Sequence, residues 1–265
     1  MALAFGRGAR SPRGVRLITL RRWQLGVAAV IVLGLVGGAY SAAHAFTQDQ
    51  RNWAATQTGL VYFVRTDQPA VSLTFDDGPD PYETPRVLAM LKAGGARATF
   101  FVLASAAERH PDLIKSILAE GSEVGSHSVN HPNMGNMSAA AVGREAAASV
   151  KAISAVTGQP IPLFRFPYFS HTAAGVAAVR ALGLTVVEAS VDPKDWAKPG
   201  VAAIVQRATA PVRPGDIILF HDGGGHPQTL AALPQVIADL HARGFQMVTV
   251  SELLRMGPPS YEGRP

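Results

Sequence analysis

The chain has 265 residues, 48% of them hydrophobic and 16% charged, which suffices for one sizeable core and leaves little room for a second full domain. Its formal charge of +5 comes from one end: Arg7, Arg10, Arg13, Arg16, Arg21 and Arg22 lie in the first 45 positions, where no acid occurs. Setting those six aside from the 24 basic residues leaves 18 against 19 acidic ones, net −1, a body with no electrostatic footprint for a phosphate backbone, so no nucleic-acid partner is expected.

In chain order, residues 1–24 form a basic region and residues 25–45 an apolar run that ends in Ala43-His44-Ala45. A positive flank, an apolar stretch and a small-x-small ending predict an export signal. The 19 residues from Leu25 to Ala43 would equally cross a bilayer once, so anchor and cleaved signal both fit. In either case the arginines stay in the cytoplasm, and an extracytoplasmic protein, membrane-anchored or secreted, is expected. Residues 46–69 read as a stalk with one short strand around Leu60–Val64.

From Val71 the pattern changes. Short β-rich runs (71–75, 98–102, 123–125, 163–165, 185–188, 216–220 and 246–250) alternate with Ala- and Leu-rich helical segments (85–93, 104–120, 139–156, 173–182, 201–210 and 229–242). That alternation predicts an α/β domain over residues 70–255 with a parallel sheet, and its seven repeats predict a closed or nearly closed barrel. Residues 256–265, rich in Gly and Pro, are expected to fray.

In such a barrel, chemistry gathers at the C-terminal ends of the strands. The ionisable residues there are Asp76 and Asp77, His127 and His131, Arg165, Asp192 and Asp195, and His221 with Asp222. His127-Ser-Val-Asn-His131 sets two imidazoles four apart, a spacing that lets both face one point. With no cysteine in the chain, any metal must sit on His, Asp or Glu. Two His and one Asp leave a coordination position open, as a catalytic divalent ion requires, and zinc is the default, with cobalt, nickel or manganese able to occupy the same cage. Asp76-Asp77 repel each other unless a cation lies close or one is protonated, and Gly78-Pro79 turn the backbone away behind them.

Thr74–Pro79, His127–His131, Arg165-Phe166-Pro167-Tyr168, Asp192-Pro193-Lys194-Asp195-Trp196 and Leu219-Phe220-His221 resemble, in order and spacing, the five motifs of the polysaccharide deacetylases of carbohydrate esterase family 4. The resemblance spans about residues 70–255. It implies a distorted (β/α)7 barrel, a single catalytic domain that hydrolyses the N-acetyl groups of a polysaccharide with the help of a metal. Carried over, it makes Asp76 the general base, Asp77, His127 and His131 the metal ligands, and Arg165 the residue that holds Asp76. The backbone N–H of Tyr168 becomes an oxyanion donor and His221 the general acid, tuned by Asp192 with Asp195 as the alternative. Trp196, Leu219 and Pro167 are expected to line the acetyl pocket. Phe166 and Phe169 depart from the commoner Arg-Pro-Pro-Tyr-Gly pattern and are expected to narrow or redirect the sugar groove.

The implied partner is an acetylated polysaccharide such as peptidoglycan, a chitin-like chain or an exopolysaccharide, with no obligate protein partner. Two rival readings are an O-acetyl esterase on a chain such as xylan and a non-catalytic glycan-binding module; the second predicts missing ligands, yet Asp77, His127 and His131 are all present. Gly223–Gly225 lacks the Lys-Ser/Thr of a nucleotide loop and reads as a turn. His110, His171, His226 and His241 lack ligand spacing and read as surface or supporting residues.

Overall fold

The computed structural model describes residues 59–263. The basic region, the apolar run and most of the stalk lie outside these residues; among the described ones no helix is long and apolar enough to cross a membrane. The strands are β1 (Leu60–Val61), β2 (Phe63–Val64), β3 (Ala70–Asp76), β4 (Ala98–Val102), β5 (Glu123–Ser126), β6 (Leu163–Phe164), β7 (Thr185–Val187), β8 (Ile217–His221), β9 (Gln246–Met247) and β10 (Pro259–Ser260). The α-helices are α1 (Glu83–Ala93), α2 (Ala104–Arg109), α3 (Pro111–Ala119), α4 (Ala139–Thr157), α5 (Ala173–Arg180), α6 (Val201–Thr209), α7 (Pro227–Ala242) and α8 (Val250–Leu254).

One sheet runs β1-β7-β6-β5-β4-β3-β8, with β9 also against β3, and its ladders are all parallel. Strand β3, which pairs with β4, β8 and β9, is buried along its whole length. With the two-residue period of a strand, Val71, Leu73 and Phe75 pack into the main core beside Val87 and Leu91 of α1 and Leu233 and Val236 of α7. Thr74 and Asp76 take the other face, where the Arg165 guanidinium meets both. Burial on both faces is what a parallel sheet flanked by helices demands.

The sheet forms a half-barrel where the sequence predicts a closed or nearly closed, distorted seven-fold barrel. Between β7 and β8 the only pairing is the isolated bridge Val191–Ile218, because the chain leaves β7 after three residues and has too short an extended run to build a ladder. The C-terminal ends of β3, β5, β6 and β8, with the segment after β7, nonetheless open on one mouth.

Each expected strand is present, and four local differences have plain causes. The helix expected over 104–120 breaks at His110, because Pro111 lacks an N–H and starts a new helix. The strand expected over 246–250 stops at Met247. Thr249 and Glu252 form a reciprocal capping box that starts α8 instead, a Thr-x-x-Glu signal readable in the sequence. The stalk contributes β1 and β2 to the domain, since Leu60, Val61 and Val64 are buried. The tail likewise pairs antiparallel with β2 through β10.

Candidate active site

Asp76 ends β3 and Asp77 follows in a left-handed conformation, φ 74°, that swings its carboxylate away from the strand. Behind this turn the fully buried Asp222 donates its N–H to the Asp76 carbonyl at 3.0 Å and accepts from the Thr84 hydroxyl at 2.6 Å. Gly78 is required there, because a Cβ would sit 2.5 Å from Asp222 Oδ1. Burial drives the Asp222 pKa up to about 8, with Glu83, Asp77 and Asp76 adding to it and the Thr84 bond offsetting part, so the carboxyl is neutral at pH 7.

His127 and His131 leave β5 in a loop made tight by left-handed Ser128 and His131. The His127 Nδ1 lies 2.9 Å from the Arg165 carbonyl, which assigns the proton to Nδ1 and turns the Nε2 lone pair into the mouth. Asp77 Oδ1 lies 3.6 Å from His127 Nε2 and 3.2 Å from His131 Nε2, and one donor atom from each of the three falls within 4.8 Å of the others. A tetrahedral ion with bonds of about 2.0–2.1 Å spaces its ligands about 3.4 Å apart. The donor set therefore fits a divalent cation, and a second observation agrees: Asp77 Oδ1 is buried without a hydrogen-bond donor. Burial pushes the His131 pKa down, which keeps its imidazole neutral and able to ligate.

Arg165 is fully buried and donates four hydrogen bonds. It donates to Asp76 Oδ1 at 2.8 Å, Thr74 Oγ1 at 2.8 Å, the Val187 carbonyl at 3.2 Å and the Glu188 carbonyl at 2.9 Å, and its face lies 4.1 Å from the Phe101 ring centre. A buried charge held this way fixes its partner, leaving Asp76 Oδ2 as that carboxylate's free oxygen, 3.7 Å from His127 Nε2.

Across the mouth, His221 ends β8 with its Nδ1 2.8 Å from Asp195 Oδ1, while its N–H donates to Asp195 Oδ2 at 3.0 Å. Asp195 thus takes the place expected for Asp192. The physical reason is the left-handed Lys194, φ 57°, which folds the segment so that Asp195 turns inward and is buried. Asp192 lines the mouth and caps the Lys194 N–H at 2.7 Å. The Thr229 hydroxyl and the Trp196 N–H complete the shell of Asp195, at 2.7 and 2.9 Å. Burial works to raise the Asp195 pKa, but the bonds from His221 and Thr229 outweigh it and hold it below the usual carboxylate range. Burial likewise works to lower the His221 pKa, yet the hydrogen bond and charge of Asp195, with Asp76 and Asp77 beyond, hold it up at about 9.

The two sides enclose a cleft of about 380 Å³ walled also by Phe166, Tyr168, Phe169, Trp196, Leu219 and His226. Trp196 and Tyr168 are exposed at the rim and Leu219 is buried in the wall. Pro167 is buried but does not reach this wall, because left-handed Tyr168 and Phe169 turn their own rings toward it. The Tyr168 ring meets His131 edge-on, with centroids 4.3 Å apart. Sequence reasoning passed over Thr229, which carried no motif signal, and set aside His226, which a run of three glycines brings into the wall.

The family model for polysaccharide deacetylases matches residues 63–187. The chain is 38% identical over 202 residues to a peptidoglycan-N-acetylglucosamine deacetylase of Bacillus cereus, covering 75% of this chain and 94% of that one. It is 40% identical over 192 residues to a chitooligosaccharide deacetylase of Sinorhizobium fredii, covering 68% and 89%. Among solved structures, a peptidoglycan N-acetylglucosamine deacetylase bound to 4-naphthalen-1-yl-N-oxidanyl-benzamide superposes with a TM-score of 0.71 at 28% identity over 77% of this chain and 95% of that one. With the same five motifs gathered at one mouth, this chain belongs to the polysaccharide deacetylase family, carbohydrate esterase family 4.

Proposed function

We propose that the protein is a metal-dependent N-deacetylase acting on the N-acetylated sugars of a polysaccharide outside the cytoplasm. One observation carries the reading. A three-donor cation site with an unpartnered carboxylate oxygen faces a saturated His–Asp pair across a single cleft. Names of the relatives point to peptidoglycan and chitin oligosaccharides as the substrate class. The arginine-flanked apolar run in residues 1–45 supports export, with that segment as signal or membrane anchor, residues 46–58 as stalk and the catalytic domain behind them.

Asp77, His127 and His131 would hold the cation, with zinc favoured by the nitrogen and oxygen donors. When bound it supplies Lewis acidity that eases loss of a proton from water and polarises the acetyl carbonyl. The chain's own groups do the rest. Asp76, kept ionised and aimed by Arg165, takes the proton of the attacking water on Oδ2. The Tyr168 N–H shares the charge that develops on the carbonyl oxygen, and Trp196 with Leu219 seats the methyl. His221, with Nδ1 tied to Asp195, delivers the proton on Nε2 to the departing amine as the C–N bond breaks, and acetate is left.

The test is direct. The metal-stripped chain is reloaded with Zn2+, Co2+, Ni2+ or Mn2+ and assayed for amine released from N-acetylglucosamine oligomers and for hydrolysis of an aryl acetate. Metal-dependent amine release supports the reading; ester cleavage with no amine release would replace it by an O-acetyl esterase.

A further inference from the structure

Resting on the deacetylase reading and on His221 as its acid, we infer that Glu83 is a positioning residue for that acid, clamping from α1 the glycine turn that joins His221 to α7. Glu83 opens α1 just past the Asp77 turn and is 3% exposed. Its own N–H donates to Asp80 Oδ1 at 2.9 Å, and Thr84 beside it bonds Asp222 Oδ2 at 2.6 Å, so its backbone is fixed to the turn that presents Asp77. Its carboxylate reaches the segment behind His221, accepting the N–H of Gly225 on Oε2 at 3.1 Å and the N–H of His226 on Oε1. The cap residue of α7, His226, gives that helix start no side-chain bond and Pro227 brings no N–H, so the helix takes its acceptor from α1.

What the clamp holds is otherwise loose. Gly224 and Gly225 lie at φ 93° and 87°, a region that glycine alone enters freely, and open space surrounds the position a Gly225 Cβ would take. Both flanks of this turn grip Asp195. His221 before it donates from Nδ1 at 2.8 Å and from its N–H at 3.0 Å, and Thr229 after it donates its hydroxyl at 2.7 Å. The Thr229 N–H is in turn bonded to the His226 carbonyl at 3.0 Å, next to the clamped amide. The span between the two grips is therefore set by the turn, and the turn by Glu83. The chemical consequence is selective. An amine departs only once protonated, so a misplaced acid slows amide hydrolysis heavily and slows an ester with a good leaving group little.

Glu83→Gln keeps the length but turns an NH2 group toward one of the two N–H donors, and Glu83→Asp keeps the charge but falls short by one methylene. Each is compared with the wild type on N-acetylglucosamine oligomers and on an activated aryl acetate, whose phenolate leaves without a proton, with metal content measured beside the rates. Expected for Glu83→Gln is a loss in kcat of about tenfold on the oligomers, part of what a positioned acid supplies, with KM and metal content nearly unchanged and the aryl acetate rate within about twofold of the wild type. In a His221→Gln background, where no acid is left to position, adding Glu83→Gln should slow the oligomers no further. Equal losses on both substrates, the same factor in both backgrounds, or no loss at all overturns the assignment. Should Glu83→Gln not fold, Glu83→Asp decides by the same comparisons. A wild-type chain that releases no amine from any oligomer would instead overturn the underlying deacetylase reading, and the assignment with it.

Discussion

The two walls of the cleft satisfy their charged groups in opposite ways. On the His221 side, Asp195 is met by four donors, the His221 ring and N–H, the Thr229 hydroxyl and the Trp196 N–H, and the pair is complete without help. On the opposite side Asp77 Oδ1 is buried with no donor, and the imidazole nitrogens around it stand 3.2 and 3.6 Å away. An enclosed carboxylate oxygen left without a donor is costly even where the rest of the group is half-buried, so that wall favours a positive charge from outside the chain. The difference separates a device that stores its own proton from one that waits for an ion.

Breaking the waiting wall should give the largest effect. His127→Ala removes one of three donors and with it the fixed tautomer set by the Arg165 carbonyl, so bound metal and turnover should disappear together, by about a thousandfold or more in kcat/KM. Metal content by atomic emission beside the rate checks it; a variant that keeps the ion but is inactive would mean that His127 acts otherwise than as a ligand. Asp76→Asn should separate the two properties, since Asp76 sits beside the donor set without belonging to it. Metal should be retained while kcat falls about 10²- to 10⁴-fold. Full activity in that variant would remove Asp76 as the base.

How much of this contrast could be read from the sequence follows from how far each group lies from its partner along the chain. Asp76-Asp77 and His127-x-x-x-His131 are local patterns, and the resemblance to the family named their roles. The choice between Asp192 and Asp195 was not local. It depends on the left-handed Lys194 and on Thr229, which reaches Asp195 from 34 positions away. His226 was hidden for the same reason, since only the glycine turn and the buried Glu83, 143 positions distant, set it in the wall. The half-barrel was hidden too, because the alternating pattern counts strands but says nothing of how many residues each spends in a ladder. The Thr249-x-x-Glu252 box, by contrast, was legible and overridden by the β-rich look of residues 246–250.

Breaking the self-sufficient wall should have a smaller and differently shaped effect. Asp195→Asn removes the charge that stabilises the His221 imidazolium, so the His221 pKa should fall from about 9 toward its ordinary value. An acid is active only below its own pKa; the alkaline limb of the rate profile should therefore move down by one unit or more, with a loss of about tenfold near pH 8. The same limb should stay in place in Asp192→Asn, whose carboxylate lies outside the pair. A limb that moves in the Asp192 variant instead would restore the assignment made from sequence.

The smallest effect concerns Asp222, which backs the Asp77 wall: its N–H anchors the Asp76 carbonyl and its carboxyl packs against Gly78 beside the Asp77 turn. Its folded pKa, raised to about 8, stands above an unfolded value near 3.9, so the folded state holds an extra proton between those limits. The contribution to stability is accordingly complete below about pH 4 and is lost as pH rises through about 8, where a buried carboxylate must ionise. An amide does not titrate and has nearly the same shape. Metal-stripped Asp222→Asn should thus gain on the wild type as pH is raised from 5 to 9, by at least about 2–4 °C in Tm, the shift expected from roughly 1 kcal/mol in a domain of this size. If the gap between wild type and variant stays constant over that range instead, Asp222 is ionised in the folded protein as it is in the unfolded one, and a donor near Gly78 must be compensating its charge. The turn that presents Asp77 would then be held by an ion pair rather than by a neutral acid.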